Sequence, residues 1–154
     1  MTADVTWMLG GPSLRILPTS AEGAALDWLP PSGVSVVARL NGAAMVDADD
    51  VFREFSSALK FPAYFGWNWD ALSDCLRDLS WREGDRYLIL IDRAEEILIG
   101  SSEERDLLFH TLAVAVKDWA NPLGKPGGVG IPFKVVLACG DDAVDALRAE
   151  VAKY

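Results

Sequence analysis

A chain of 154 residues that is 51% hydrophobic and 24% charged has the size of one ordinary domain and enough apolar mass to close a core. Its 23 acidic residues against 14 basic ones leave a formal charge of −9, which repels phosphate backbones and attracts cationic surfaces. Nucleic acid is therefore excluded as the expected direct ligand and a basic protein is favoured, with plain solubility as the bland reading of the same charge.

The first residues, Met1-Thr2-Ala3-Asp4-Val5, lack the basic start and apolar run of a signal peptide, and no stretch reaches the length of a membrane span. The expectation is a cytoplasmic protein without a membrane partner. Residues 5–9 and 14–17 are short apolar runs around Gly10-Gly11-Pro12-Ser13, the pattern of a hairpin. Beyond Pro30-Pro31-Ser32-Gly33, residues 34–40 are β-branched and mostly apolar and end at the turn pair Asn41-Gly42, which predicts a strand buried on both faces. Val51, Phe52, Phe55 and Leu59 then recur at helical spacing, so an amphipathic helix is expected over 49–60.

An aromatic loop over 61–67 leads into a second helix from about Asn68 to Ser80, followed by a buried strand over 87–91. Ser101 or Ser102 is placed to cap a longer helix, because Glu103, Glu104 and Asp106 crowd its first turn. Its apolar stripe is Leu107, Leu108, Leu112, Ala115, Val116 and Trp119. Residues 121–132 form a Gly/Pro-rich loop, 133–138 the last core strand, and 141–147 open a terminal helix. Strands separated by helices imply a small, mainly parallel α/β sheet. Cys75 and Cys139 lie far apart in apolar surroundings and read as small core residues of a reducing compartment.

Most candidate sites dissolve on inspection. Gly124-Lys125-Pro126-Gly127-Gly128 has neither the P-loop pattern nor a dinucleotide fingerprint and follows a helix, so it reads as a loop. His110, the single histidine, has no clustered metal-ligating partner and reads as a surface or boundary residue of its helix. No Ser or Cys nucleophile has a visible base. Catalysis, a metal and a cofactor are all unexpected.

The informative stretch runs from Phe61 to Leu79. With Asn68 as N-cap, Asp70, Ser73, Asp74, Arg77 and Asp78 share one helix face, while Ala71, Leu72, Cys75, Leu76 and Leu79 share the other. Asp70 is favoured in the first turn by the helix dipole. Asp74 and Asp78 are not, since Asp is a poor helix former and like charges four apart cost about 0.2–0.5 kcal/mol per pair. Tyr64, Phe65, Trp67 and Trp69 crowd beside these acids. A helix that departs from local preference along one face, next to aromatic anchors, fits a protein-binding site.

The string Phe-Pro-x-Tyr-Phe-Gly-x-Asn-Trp-Asp-Ala-Leu-x-Asp-Cys-Leu over 61–76 resembles the signature of barstar-type proteins, the inhibitors that bacteria hold against their own secreted, barnase-like ribonucleases. The resemblance implies a barstar-like domain over 34–139 with a three-stranded parallel sheet. Residues 1–33 would be an N-terminal extension and residues 140–154 a C-terminal helical tail. It implies an immunity protein whose acidic helix enters the cationic cleft of a basic ribonuclease. Tyr64, Asp70 and Asp74 match the family's contact residues, Gly66 and Asn68 match the loop that shapes the approach, and Asp118 falls near a further acidic contact. Ser73 stands where the best-studied member has tryptophan and Trp67 where it has an acid, so Trp67, Trp69, Ser73 and Asp78 complete a remodelled interface. Two rival readings stay open: a regulatory protein-interaction module with another target, and an enzyme holding a hard cation on Asp70 and Asp74.

Overall fold

The computed structural model of the chain describes residues 12–27, 29–121 and 131–154. The first arm of the expected hairpin, residues 5–9, and most of the Gly/Pro-rich loop, residues 122–130, lie outside them. In chain order the elements are β1 (Leu14–Pro18), α1 (Glu22–Asp27), β2 (Ser35–Asn41), α2 (Ala48–Leu59), α3 (Trp69–Asp78), β3 (Arg86–Asp92), α4 (Ser102–Ala120), β4 (Phe133–Cys139) and α5 (Val144–Val151).

The sheet is parallel, as expected, but it has four strands and not three, in the order β1-β4-β3-β2. The additional strand is β1. Its apolar run was expected in a hairpin, and it pairs in parallel with β4, setting Leu14 against Val135 and Ile16 against Leu137. The path from β2 through β3 to β4 steps in one direction along the sheet. Right-handed crossovers then put α2, α3 and α4 on one face. The step from β1 to β2 runs the opposite way, and α1 accordingly packs on the other face, where Ala25 meets Leu88, Leu90 and Val136. The main core lies under the larger helical layer, where Ile89, Ile91, Val135 and Leu137 meet Phe55, Leu72, Leu76, Phe109 and Leu112.

Two further expectations are corrected. The strand over 34–40 is not buried on both faces: β2 forms an edge of the sheet, its burial alternates, and Arg39 and Asn41 are exposed. Leu107 does not join the buried stripe of α4; it is exposed, while Phe109, Thr111 and Ala113 are buried instead. The reason is that α4 has neighbours on two sides. Arg105 of α4 pairs with Glu150 of α5 at 2.7 Å, and Trp119 near its other end bonds to α3, so its buried surface is broader than one stripe. Ser101 is the cap, accepting the Glu104 N–H at 3.2 Å, and α2 begins with a reciprocal pair between Asp47 and Asp50. His110 is exposed. Cys75 and Cys139 are free and buried, and burial pushes both thiols up.

One residue of β4 works against the core it sits in. Lys134, only 2% exposed, lies in register with Leu88 on the α1 face, its Nζ donating to the Pro12 carbonyl at 3.1 Å. Burial, with the Arg15 charge adding to it, lowers its pKa to about 8. Between that value and the ordinary 10.5 the unfolded chain holds the proton more tightly, so this residue's penalty is full below pH 8 and is relieved as pH rises. The wild-type fold should therefore gain stability as pH rises from 8 towards 10.5, and Lys134→Met should lack that gain, as read from paired urea melts of the two proteins.

Candidate functional site

The loop before α3 is held by rings. Phe65 is buried against Phe61 at 4.8 Å and Phe52 at 6.2 Å between centroids, and Trp69 packs edge-on against Phe52 at 5.1 Å. Phe61 also meets Trp81 at 5.8 Å, whose indole N–H donates to the Leu59 carbonyl at 3.0 Å. With these rings supporting the loop from inside, Tyr64 remains 71% exposed and Trp67 51% exposed. Trp67 leans on Phe65 at 5.2 Å and carries a left-handed backbone, φ 54°, which an L-residue adopts only when its surroundings impose it.

Asn68 converts that bend into a helix start. Its side-chain oxygen accepts the Ala71 N–H at 2.8 Å while its amide donates to the Gly66 carbonyl at 3.2 Å. Gly66 leaves room for this, since a Cβ there would stand 3.2 Å from the Asn68 amide nitrogen. From Trp69 the helix buries Leu72, Cys75 and Leu76 and turns Asp70, Asp74 and Asp78 outward, all three exposed. At 1.5 Å rise per residue the carboxylates follow one another about 6 Å apart along the axis. The expected face thus exists, and Ser73 lies on it half-buried.

The electrostatics differ along the row. Neither Asp70 nor Asp78 has an ion pair among the described residues. Asp74 accepts from Arg77 at 3.0 Å, so the middle carboxylate is partly neutralised within its own helix. That pair is exposed on both sides, and such pairs contribute between zero and about 1 kcal/mol. Partial burial and the Asp78 carboxylate push the Tyr64 phenol up. Asp118 lies at the opposite end from Asp70. The Trp119 indole donates to the Leu76 carbonyl at 2.7 Å and brings the end of α4 to the last turns of α3. Asp118 is half-buried there and already engaged within the chain.

Among the described residues no three His, Cys, Asp or Glu side chains converge as a metal site, and no helix is long and apolar enough to cross a membrane. Phe52 and Trp119 were read from sequence only as apolar stripe residues and Phe61 only as part of the aromatic loop, Trp81 was not singled out, and none was expected to support the site. Their signal is spatial, since Trp119 lies 43 residues from the carbonyl it caps.

A family model described as Barstar (barnase inhibitor) matches residues 35–138, more than half of the chain and the whole stretch from β2 into β4. The chain belongs to the barstar family. No curated protein matches it. Among solved structures, the ORC2 protein of Aeropyrum pernix in its ADPNP–ADP complexes is similar with a TM-score of 0.56 at 13% identity, covering 97% of this chain and 41% of that one. This chain therefore spans less than half of that protein's length, and the likeness is one of fold.

The cap gives the site a stability test. Asn68→Ala should cost about 1 kcal/mol, whereas Asn68→Ser, which keeps an acceptor for the Ala71 N–H without setting a carboxylate against the Gly66 carbonyl, should cost a fraction of that. Urea denaturation of both variants measures the difference, and equal losses would show that the side chain does not cap α3.

Proposed function

We propose that the chain is a bacterial immunity protein, a non-catalytic inhibitor that stays in the cytoplasm and blocks the active site of a basic, barnase-like ribonuclease. The observation that carries this reading is the outward row of Asp70, Asp74 and Asp78 on a helix whose other face is fixed in the core, with Tyr64 and Trp67 exposed beside it. Membership of the barstar family supports the choice of partner.

The chemistry is mimicry. Carboxylates spaced along α3 take the positions of RNA phosphates, and the enzyme's Arg and Lys side chains give them charge-assisted hydrogen bonds. Tyr64 and Trp67 supply apolar contact area at small entropic cost, and the charge of the whole chain speeds encounter. A loop braced by Phe61, Phe65 and Trp69 is set before the partner arrives, which lowers the ordering cost of association. For Asp74 to reach a partner's cation, Arg77 must swing aside, and the exposed pair it gives up is weak.

Opposite effects at neighbouring positions test this reading, with basic microbial ribonucleases including barnase as probes. Asp74→Ala should weaken binding by about 2 kcal/mol or more, the size general to hot spots of charged interfaces, barstar–barnase among them. A loss below about 1 kcal/mol by calorimetry would overturn the assignment. Arg77→Ala removes a like charge facing the enzyme and releases Asp74, so stopped-flow association should become faster and should still slow as salt is raised. If none of these ribonucleases is bound or inhibited, the chain is a regulatory module with another target.

A further inference from the structure

The acidic face does not end with α3. Beyond Asp78 the surface drops into a groove of about 660 Å³, within the range of cavities that hold drug-sized ligands. It lies between the last turn of α3 and the segments that enter β2 and β3, with Trp119 and Tyr87 in its lining. These rings stand 5.1 Å apart, and both polar ends are tied down: the Trp119 indole by the Leu76 carbonyl and the Tyr87 hydroxyl by the Arg82 carbonyl, at 2.7 and 2.8 Å. Val34, which immediately precedes β2, is 56% exposed and is held at the lip by Asp85, whose Oδ2 accepts its N–H at 2.6 Å while the Asp85 N–H donates to its carbonyl at 2.8 Å. The groove is preformed.

Its charge selects the occupant. Among the described residues Asp78, Glu83 and Asp85 line it against one cation, Arg77, whose guanidinium pairs with Asp74. Neither Asp78 nor Glu83 has an ion pair among the described residues, and both are exposed. Apolar contact at Val34 combined with carboxylates nearby suits a side chain with an aliphatic stem and a cationic head. An anion or an acidic peptide meets repulsion there.

We infer that this groove is a second recognition subsite, taking an arginine- or lysine-bearing segment of the protein partner while α3 occupies that partner's main cationic cleft. Asp78 belongs to both surfaces, so one basic protein spans them without a gap. The inference rests on the partner being a basic protein, and it adds a contact region outside the aromatic loop and the Asp70–Asp74 face. Glu83 is its specificity-determining residue. It is exposed, removed from the core, and placed where it meets only a partner that extends past the end of α3.

The full chain, labelled with ¹⁵N, is titrated with the capped tripeptides Ac-Arg-Arg-Arg-NH₂ and Ac-Glu-Glu-Glu-NH₂. Saturable amide shifts at Gly84, Asp85 and Tyr87 are expected with the arginine peptide alone. Glu83→Gln should weaken that response about threefold, the scale of one exposed ion pair, and Asp70→Asn should leave it unchanged. Shifts confined to α3, equal shifts with the glutamate peptide, or indifference to Glu83→Gln would overturn the subsite. The ribonuclease reading is judged separately by Asp74→Ala: if that variant loses enzyme binding while the groove stays silent, only the subsite falls. If the groove responds and no ribonuclease binds, the subsite stands for another basic partner.

Discussion

The bond from the Trp119 indole to the Leu76 carbonyl is the contact on which the functional surface depends. Leu76 lies in the last turn of α3, where a carbonyl has no partner within the helix and must find one elsewhere. Supplying that partner from α4 satisfies the helix end and fixes how α3 is rotated about its axis. Since Leu72, Cys75 and Leu76 are buried together, the rotation that seats them turns Asp70, Asp74 and Asp78 to solvent. The same indole stacks parallel to Phe133 at 5.9 Å, so the orientation of the acidic face is referred directly to the central sheet. On the proposed reading, a partner meets a surface whose geometry is set by the core.

What could be read from the sequence follows the range of the interactions concerned. Local signals were sufficient for α3: the Asn68 cap, the apolar positions three and four apart and the outward acids all act within a turn or two. The burial of Phe65 and the exposure of Tyr64 and Trp67 were beyond such reasoning, because they depend on Phe52 and Phe61 meeting from different elements. The strand pairing of residues 14–18 was hidden for a stronger reason. A parallel partner more than a hundred residues away leaves no trace in local pattern, whereas a Gly-Gly-Pro-Ser turn suggests a neighbour close in sequence. Leu107 was misplaced because a single apolar stripe describes a helix with one neighbour, and α4 has two.

Arg77 shows how stability and recognition divide a single face. Three carboxylates at steps of four repel one another, and a lone guanidinium placed beside the middle one at 3.0 Å relieves part of that strain in the free protein. The arrangement is useful only because it is weak. A buried, fully bonded pair would hold Asp74 against any partner, since breaking such a pair leaves an uncompensated charge. An exposed pair three residues apart gives way to a stronger donor at little cost. The free chain tolerates its acidic row, and the row stays available.

The position of this surface on the fold also bears on what kind of function it supports. Open parallel sheets bind small ligands in the crevice beyond the carboxyl ends of their strands. Here that edge, between Thr19, Asp92, Glu95 and Gly140, is acidic, and Glu95 is committed to the Gly140 N–H at 2.7 Å. The exposed aromatics and the outward carboxylates lie instead on the outside of the helical layer, where a ligand as large as a protein can approach. The resemblance to a much longer protein at 13% identity fits this view, because a parallel sheet with its helices is a scaffold that does not dictate use. On the proposed reading a partner meets α3, its flanking loop and the groove beyond Asp78, and the sheet contributes by refusing to let that helix turn.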